Sequence, residues 1–262
     1  MFEKILIANR GEIAVRIIRA ARELGIATVA VYSEADQDAL HTMLADEAVC
    51  IGPARSTESY LNMNNIISAA IVTGAQAIHP GFGFLSENSK FATLCEEVGI
   101  KFIGPSAKVM DTMGDKINAR AEMIRAQVPV IPGSDGEVYT SEEALAIADK
   151  IGYPVMLKAS AGGGGKGIRK VERAEDLVTA FENASSEAQA AFGNGAMYME
   201  RVIYPARHIE VQILADQHGH VIHLGERDCS LQRNNQKVLE EAPSIAIGQT
   251  LRNKIGEAAV RA

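Results

Sequence analysis

The sequence has 262 residues, enough for one large domain or two ordinary ones, and its 47% hydrophobic and 23% charged residues are typical of soluble globular proteins. The formal net charge is −7 and no basic tail or stripe stands out, which argues against a nucleic-acid partner, and the apolar runs are too short for a signal peptide or a membrane span. The three widely spaced cysteines, Cys50, Cys95 and Cys229, form no metal-binding pattern and predict free thiols in a reducing cytoplasm.

Residues 1 to about 105 alternate short apolar runs with helical patterns. The apolar runs predict strands, and the runs with an apolar face at helical spacing predict helices. In chain order the predicted elements are a strand at 4–8, a helix at 11–24, a strand at 27–32, a helix through 66–72, a strand at 75–79, a helix at 91–98 and a strand at 101–103. This alternation predicts a doubly wound α/β domain built on a parallel sheet.

The pattern changes after residue 113. A helix is predicted at 115–127, after which Pro129 and Pro132-Gly133 interrupt the pattern, and Ser141 is predicted to cap the next helix. The remaining predicted elements are strands at 153–159, 168–171 and 197–200, a long helix at 174–191, a hairpin between 207–215 and 220–225, and a helix at 250–262. No capping residue closes that last helix, so we expect the chain to end within a larger fold.

A run of four glycines is the most informative local feature of the sequence. It lies within Lys158–Gly167, where the missing side chains let backbone N–H groups approach phosphate oxygens closely. The spacing of Gly162, Gly164 and Gly167 fits a dinucleotide fingerprint, but a strand rather than a helix is predicted to follow. A Walker A loop is excluded because position 160 is Ser and position 167 is Gly. We predict a glycine flap between two antiparallel strands, and the alternative is a hairpin without a ligand.

Five blocks in order resemble the biotin carboxylases of the ATP-grasp superfamily. They are residues 7–14 (IANRGEIA), 79–88 (HPGFGFLSEN), 113–116 (MGDK), 158–167, and 226–230 (ERDCS) continuing to 241–243 (EAP). The resemblance implies an α/β protein with a parallel-sheet, Rossmann-like N-terminal (pre-ATP-grasp) domain at 1–113, followed by an incomplete ATP-grasp domain at 114–262. Within the latter it implies a glycine-flap subdomain at about 131–203 and the start of a central sheet at 204–262.

The resemblance also implies a reaction. Bicarbonate attacks the γ-phosphate of ATP, and the carboxyphosphate so formed carboxylates biotin held on a biotin carboxyl carrier protein. Magnesium (or manganese) is the implied metal. Carboxyltransferase subunits and a second copy of the chain in a homodimer are the other implied partners, with neither a nucleic acid nor a membrane among them.

Individual residues match the family's functional positions. The ATP-binding matches are Lys116 and Lys158 at the phosphates, Gly164 and Gly165 in the flap, Glu200, Arg201, Val202 and Ile203 on the adenine strand, and His208 and Asn235 near the nucleotide. Lys237 matches the bicarbonate-side catalytic lysine, Gln232 matches a second substrate residue, and Cys229 is expected to be a buried thiol beside their loop. Many members have His where this chain has Asn235, and Asn cannot carry charge. Without the resemblance, each Lys and Glu could be an ordinary surface residue.

The family's metal-binding carboxylates and bicarbonate-binding arginine are expected beyond Ala262. We therefore expect the 262 residues alone to bind ATP weakly at best and not to turn over. The start at Met1, directly before the first strand, favours a separate bacterial-type subunit of acetyl-CoA carboxylase, serving fatty acid synthesis. The alternatives are another ATP-grasp ligase, such as half of a carbamoyl-phosphate synthase, and a nucleotide-binding module that does no chemistry.

Overall fold

A computed structural model describes residues 1–114, 116–160, 167–233 and 236–262, and of Lys116 it describes the backbone alone. The chain divides into two compact units, Met1–Asp115 and Lys116–Ala262, each with its own hydrophobic core. No helix in the described ranges is both long enough and apolar enough to cross a bilayer.

The first unit is a five-stranded parallel sheet with helices on both faces. Its elements are β1 Lys4–Ile7, α1 Gly11–Glu23, β2 Ala27–Tyr32, α2 Leu40–Leu44, β3 Glu47–Cys50, α3 Met63–Thr73, β4 Ala77–His79, α4 Ser89–Glu97, β5 Lys101–Phe102 and α5 Ala107–Gly114, with 3-10 turns at Glu34–Asp36 and Ser56–Glu58. The strand order is β3-β2-β1-β4-β5, and all four pairings are parallel. The predicted Rossmann-like sheet is therefore confirmed.

Alternation along the strands explains the two layers of this unit. Leu6, Val29 and Val31 belong to the core cluster under α3 and α4, whereas Ile5 and Ile7 belong to the cluster under α1. Successive strand residues point to opposite faces, so strands buried on both sides are apolar throughout. This continuous apolar character is what made β1 and β2 recognisable in the sequence.

The sequence pattern does not predict β3 or α5, and the structure shows why. Three of the four residues of β3 are exposed because it forms the edge of the sheet, so it carries no run of buried apolar residues. Helix α5 contains no buried residue, so its apolar face is equally weak as a signal. Met113 and Gly114, placed before a helix in the prediction, are the last residues of α5.

Two histidines of the first unit lie where partial or complete burial disfavours a charged ring. His41 is fully buried, with Nε2 3.2 Å from the Val31 carbonyl oxygen, and among the described residues its Nδ1 has no partner. The Nδ1 atom of His79 accepts a hydrogen bond from the Gly81 N–H at 3.1 Å. Burial lowers the pKa of both imidazoles from the ordinary value of 6.5, because desolvation disfavours the charged ring.

We predict that this unit loses stability as the pH falls below 6.5. A depressed folded-state pKa means that the unfolded chain takes up protons first, so the stabilisation is complete above 6.5 and is lost on acidification. The loss should reach up to about 1.4 kcal/mol per pH unit for each histidine. Urea unfolding between about pH 7 and about pH 5 measures it. The exposed His218→Gln variant should keep the full slope, and a flat profile in the parent chain would contradict the prediction.

The second unit contains two three-stranded antiparallel sheets. Its elements are α6 Lys116–Arg125, α7 Ser141–Ile151, β6 Val155–Ala159, β7 Arg169–Val171, a 3-10 turn at Ala174–Asp176, α8 Leu177–Phe192, β8 Met197–Arg201, β9 Ile209–Ala215, β10 Val221–Arg233, β11 Gln236–Glu241 and α9 Gln249–Arg261. The strand orders are β7-β6-β8 and β11-β10-β9. The buried Val155, Leu157 and Ala159 of β6 pack with α7 and α8 in one core cluster.

The cap of α7 differs from the prediction by one residue. Thr140, not Ser141, is the N-cap, since its Oγ1 accepts the Glu143 N–H at 3.2 Å. The Glu143 carboxylate in turn accepts the Thr140 N–H at 3.3 Å. This reciprocal pair is a capping box, which requires Glu three residues after the cap and so selects Thr140.

The second sheet is larger than predicted. The hairpin at 216–219 is confirmed by antiparallel pairing of β9 and β10, but β10 continues to Arg233 and pairs with β11. The prediction that Gln232 and Lys237 lie in a loop was wrong, because the two residues face each other across these strands. Residues 226–233 carry charged and polar side chains on both faces and the register contains bulges, so their pattern does not resemble a strand.

Candidate functional site

Lys158 and Glu200 form an ion pair on the sheet of β6 and β8. Leu157 of β6 points into the core, so its neighbour Lys158 lies on the opposite face. Lys158 Nζ contacts Glu200 Oε1, and the two side chains are 30% and 22% exposed. The structure therefore brings together the predicted phosphate lysine and the predicted adenine glutamate, which are 42 residues apart in sequence.

A short segment, Pro132–Ser134, supports the edge of β8. Ser134 N–H donates to the Met199 carbonyl at 2.7 Å, and Arg201 N–H donates to the Pro132 carbonyl at 2.8 Å. Gly133 forms an isolated antiparallel bridge with Glu200 between these two bonds. A Cβ added at Gly133 would lie 2.6 Å from the Met199 carbonyl oxygen and 3.3 Å from Glu200 Cα, so this approach requires glycine.

We predict that Gly133→Ala destabilises the second unit and weakens ATP binding. The clash is with backbone atoms, so β8 must shift, at a cost of about 1–3 kcal/mol. The shift would displace Glu200 from Lys158. The matched control is Gly136→Ala, because a Cβ at Gly136 would meet no atom within 4 Å. Denaturant unfolding and an ATP titration of both variants provide the measurements, and equal stability of the two would contradict the prediction.

The remaining predicted adenine residues lie at and beyond the end of β8. The predicted strand at 200–203 is too long by two residues, because β8 ends at Arg201. Val202 N–H still donates to the Pro154 carbonyl at 2.8 Å, and Ile203 is 49% exposed. The pairing of β8 with β6 ends at Arg201 because β6 begins at Val155, and the preceding Pro154 has no N–H with which to extend the ladder.

A second charged cluster lies on the sheet of β9, β10 and β11. The Glu210 carboxylate accepts hydrogen bonds from Lys237 Nζ and from the Arg227 guanidinium. Gln232 faces Lys237 across the β10–β11 pair and contacts the His208 ring. The structure thus brings together three predicted residues, Lys237, Gln232 and His208. It adds Glu210 and Arg227, which the sequence analysis missed although His208 and Glu210 share one face by alternation.

The charges of this cluster stabilise one another. Burial alone would raise the pKa of Glu210, but hydrogen bonds from Lys237 and Arg227 outweigh burial and lower it below its usual value. The hydrogen bond to Glu210 raises the pKa of Lys237. Lys237 is therefore a persistent cation at neutral pH, with a side chain that is 38% exposed and accessible to an anion.

Cys229 lies in β10 rather than beside a loop. It is fully buried, as expected for an unreactive thiol, and burial raises its pKa. Its neighbours Glu226 and Asp228 are buried carboxylates. Arg252 Nε donates to Glu226 at 2.6 Å, and Ser244 Oγ donates to Asp228 at 3.1 Å. These bonds fix β10 against the segment leading into α9.

One group of possible metal ligands is found among the described residues. Atoms of Glu210, Cys229 and Glu240 lie within 4.8 Å of one another. A thiol is a soft ligand, whereas magnesium and manganese prefer oxygen. Both carboxylates are also engaged by Lys237 and Arg227. The group therefore fits neither magnesium nor manganese.

Several predicted site residues lie outside the described residues. They are the side chain of Lys116 and all of Gly164, Gly165 and Asn235. The strands that flank the glycine run are described, and β6 and β7 pair antiparallel from Val155↔Val171 to Leu157↔Arg169. The two antiparallel strands of the predicted flap are therefore confirmed, and its phosphate contacts stay a prediction.

Comparison with known proteins covers the whole chain. Residues 1–110 match the biotin carboxylase N-terminal domain, and residues 115–262 match the carbamoyl-phosphate synthase L chain ATP-binding domain. Biotin carboxylase 1 of Bacillus subtilis is 58% identical over 262 residues, and the biotin carboxylase of a Nostoc species is 59% identical over 261. The chain is covered in full in both matches but spans only 58% of the length of each relative.

Solved structures agree with these matches. A biotin carboxylase–β,γ-ATP complex from Campylobacter jejuni superposes with a TM-score of 0.88 at 54% identity, covering 100% of this chain and 58% of that one. The biotin carboxylase domain of a thermophilic 2-oxoglutarate carboxylase, bound to bicarbonate, gives a TM-score of 0.92 at 52% identity, covering 100% and 57%.

Proposed function

Since this chain belongs to the biotin carboxylase family, with the N-terminal and ATP-binding domains of that family, we propose that it supplies the nucleotide-binding part of an ATP-dependent biotin carboxylase. The observation that carries the proposal is the partly buried Lys158–Glu200 pair on β6 and β8. Lys158 stands directly before the glycine run, where a cation and free backbone amides together suit a triphosphate.

The proposed reaction has two steps. A bicarbonate oxygen attacks the γ-phosphorus of ATP, the bond to the β-phosphate oxygen breaks, and carboxyphosphate and ADP are formed. A ureido nitrogen of biotin then attacks the carboxyl carbon of carboxyphosphate, loses its proton and releases inorganic phosphate. Phosphoryl transfer is mostly positioning and charge neutralisation, so the residues needed are cations and hydrogen-bond donors rather than nucleophiles.

Each described residue has a role that its geometry supports. Lys158 neutralises phosphate charge, and the Glu200 carboxylate can accept the adenine amino group, with the backbone around Ile203 beside it. Lys237, held charged by Glu210, attracts bicarbonate and stabilises the charge that develops during transfer. Gln232 and His208 lie next to Lys237 on the same sheet. Magnesium would neutralise phosphate charge when bound, through ligands that we do not assign to this chain.

An ATP titration followed by calorimetry tests the nucleotide role. We expect saturable but weak binding of ATP, much weaker binding of adenosine, and no bicarbonate-dependent ATP cleavage by the 262-residue chain. Binding of adenosine as tight as that of ATP would contradict the phosphate role. Bicarbonate-dependent cleavage would contradict the expectation that the 262 residues do not turn over alone.

The proposed function also implies partner proteins, an oligomeric state and a metabolic role. We propose a biotin carboxyl carrier protein as the donor of biotin, carboxyltransferase subunits as further partners, a homodimer, and participation in acetyl-CoA carboxylase and fatty acid synthesis. Supporting this, relatives named biotin carboxylase include the chloroplastic protein of Arabidopsis thaliana, 56% identical over 260 residues. The cytoplasmic location expected from free cysteines stays a prediction, since that relative is chloroplastic by name.

One specific observation favours a second candidate, a carbamoyl-phosphate synthase-like ligase. The ATP-binding half of the chain matches a domain described for that enzyme. Residues 1–110 match the biotin carboxylase N-terminal domain instead, which favours our first proposal. ATP cleavage stimulated by free biotin, assayed in a longer protein that contains this chain, would separate the two. Cleavage indifferent to biotin would favour the alternative.

A further inference from the structure

The side-chain amide of Gln232 makes two hydrogen bonds through one atom. Its Nε2 lies 2.9 Å from the Cys229 carbonyl oxygen and 3.1 Å from His208 Nδ1. A carbonyl oxygen can only accept a hydrogen bond, so the amide atom that faces Cys229 must be the NH2 group. The orientation of the Gln232 amide is thereby determined by the backbone of its own strand.

The orientation of the Gln232 amide determines which nitrogen of the neighbouring His208 ring carries the proton. The second hydrogen of the Gln232 amide points to His208 Nδ1, which must therefore carry a lone pair. A neutral imidazole that accepts at Nδ1 carries its proton on Nε2. We propose that Gln232 is a positioning residue that fixes His208 as the Nε2–H tautomer and so makes it a hydrogen-bond donor to an oxygen atom of the nucleotide. The nucleotide part of this inference rests on the proposed function.

The backbone of His208 is held as firmly as its ring. His208 N–H donates to Ser230 Oγ at 3.0 Å, and Ser230 Oγ donates to Asp228 Oδ1 at 2.6 Å. On the other side the His208 carbonyl accepts the Cys229 N–H at 2.7 Å. His208 is thus attached to β10 at three points, twice through its backbone and once through its ring, and its tautomer is set by a residue of that strand.

The Nε2–H group remains available to a ligand on the exposed face. Glu210 Oε2 lies 3.9 Å from Nε2, which is too far for a hydrogen bond, and that carboxylate is already engaged by Lys237 and Arg227. The His208 side chain is 48% exposed. An N–H donor beside the Lys237 ammonium suits an oxygen-rich, negatively charged group, and a ribose hydroxyl or phosphate oxygen has that chemistry.

The tautomer can be measured without nucleotide. Long-range proton–nitrogen NMR spectra at about pH 9, above the ordinary titration range of imidazole, distinguish the two neutral forms. The set of imidazole signals that disappears from the spectrum of the His208→Gln variant belongs to His208. We expect the Nε2–H form to predominate in the parent chain. Gln232→Leu should shift the tautomer ratio toward that of free imidazole by about fivefold, the value of one ordinary hydrogen bond.

The decisive variant is Gln232→Glu. A carboxylate can only accept, so it should reverse the preference and select the Nδ1–H form. General damage to the sheet would affect Leu and Glu alike and would not reverse the ratio. The matched control, Gln212→Leu on β9, removes contacts to Arg227 and Ile213 and should leave the His208 signals unchanged. A predominant Nδ1–H form in the parent, or an unchanged ratio in Gln232→Glu, would overturn the proposal.

ATP titration of the same variants separates this proposal from the proposed function. We expect Gln232→Glu to weaken ATP binding about tenfold or more, as loss of a donor and gain of a negative charge predict. A reversed tautomer with unchanged ATP affinity would leave the positioning role intact and remove His208 from the nucleotide site. An unchanged tautomer ratio with weakened ATP affinity would remove the positioning role of Gln232 and would leave His208 in the nucleotide site.

Discussion

Replacing Lys158 with methionine is expected to raise the dissociation constant for ATP by about 10- to 150-fold, the range that a hydrogen bond to a charged group implies. Methionine keeps a straight apolar stem of similar length, so the packing of β6 should survive. The variant also leaves the Glu200 carboxylate without its partner, 22% exposed on the same face. An uncompensated negative charge would repel the triphosphate and add to the loss.

A matched control is available in the neighbouring strand. Lys170 of β7 lies opposite Met156, on the same face of the sheet as Lys158, pairs with Glu172 and is 47% exposed, so Lys170→Met removes an equal charge near the site without removing the predicted phosphate lysine. The double variant Lys158→Met/Glu200→Gln should recover part of the affinity if repulsion contributes. Equal ATP binding by Lys158→Met and Lys170→Met, measured by calorimetry, would remove Lys158 from the phosphate site.

The second large effect is expected in the core of the first unit. Phe91 on α4 is fully buried and packs edge-on against Phe102 of β5, with ring centroids 6.0 Å apart. Phe91→Ala should lower the free energy of unfolding by about 3–5 kcal/mol, because it removes a large apolar side chain and leaves a cavity between helix and sheet. A loss of this size is comparable with the whole stability of many domains.

Phe82 provides the comparison within the same unit. It lies in the loop after β4 and is 63% exposed, so Phe82→Ala should change the unfolding free energy by less than about 1 kcal/mol. Urea unfolding monitored by circular dichroism measures both variants. The prediction concerns the transition of the first unit, and a loss in Phe91→Ala no larger than that in Phe82→Ala would contradict it.

How far the fold could be predicted depended on how local its determinants are. Strand β2 is predicted over 27–32 and observed as Ala27–Tyr32, because a strand buried on both faces forms a nearly continuous apolar run, which Thr28 interrupts only briefly here. In the segment that follows β4, Gly81 and Gly83 have φ of 65° and 69°, which glycine adopts without strain. Strand β11, whose six residues are all exposed, carries no such signal and was missed.

The candidate site was likewise only partly predictable from the sequence. The sequence by itself determined the residue types, the glycine run and the family, since these depend on identity and spacing along the chain. Only the tertiary structure decided that Lys158 faces Glu200, that Glu210 holds Lys237 from 27 residues away, and that Gln232 faces the ring of His208. Such pairings follow from strand register, and a shift of one residue turns every side chain to the other face. Register is set by the bulges and buried contacts of the assembled sheet, and no local segment of the sequence contains that information.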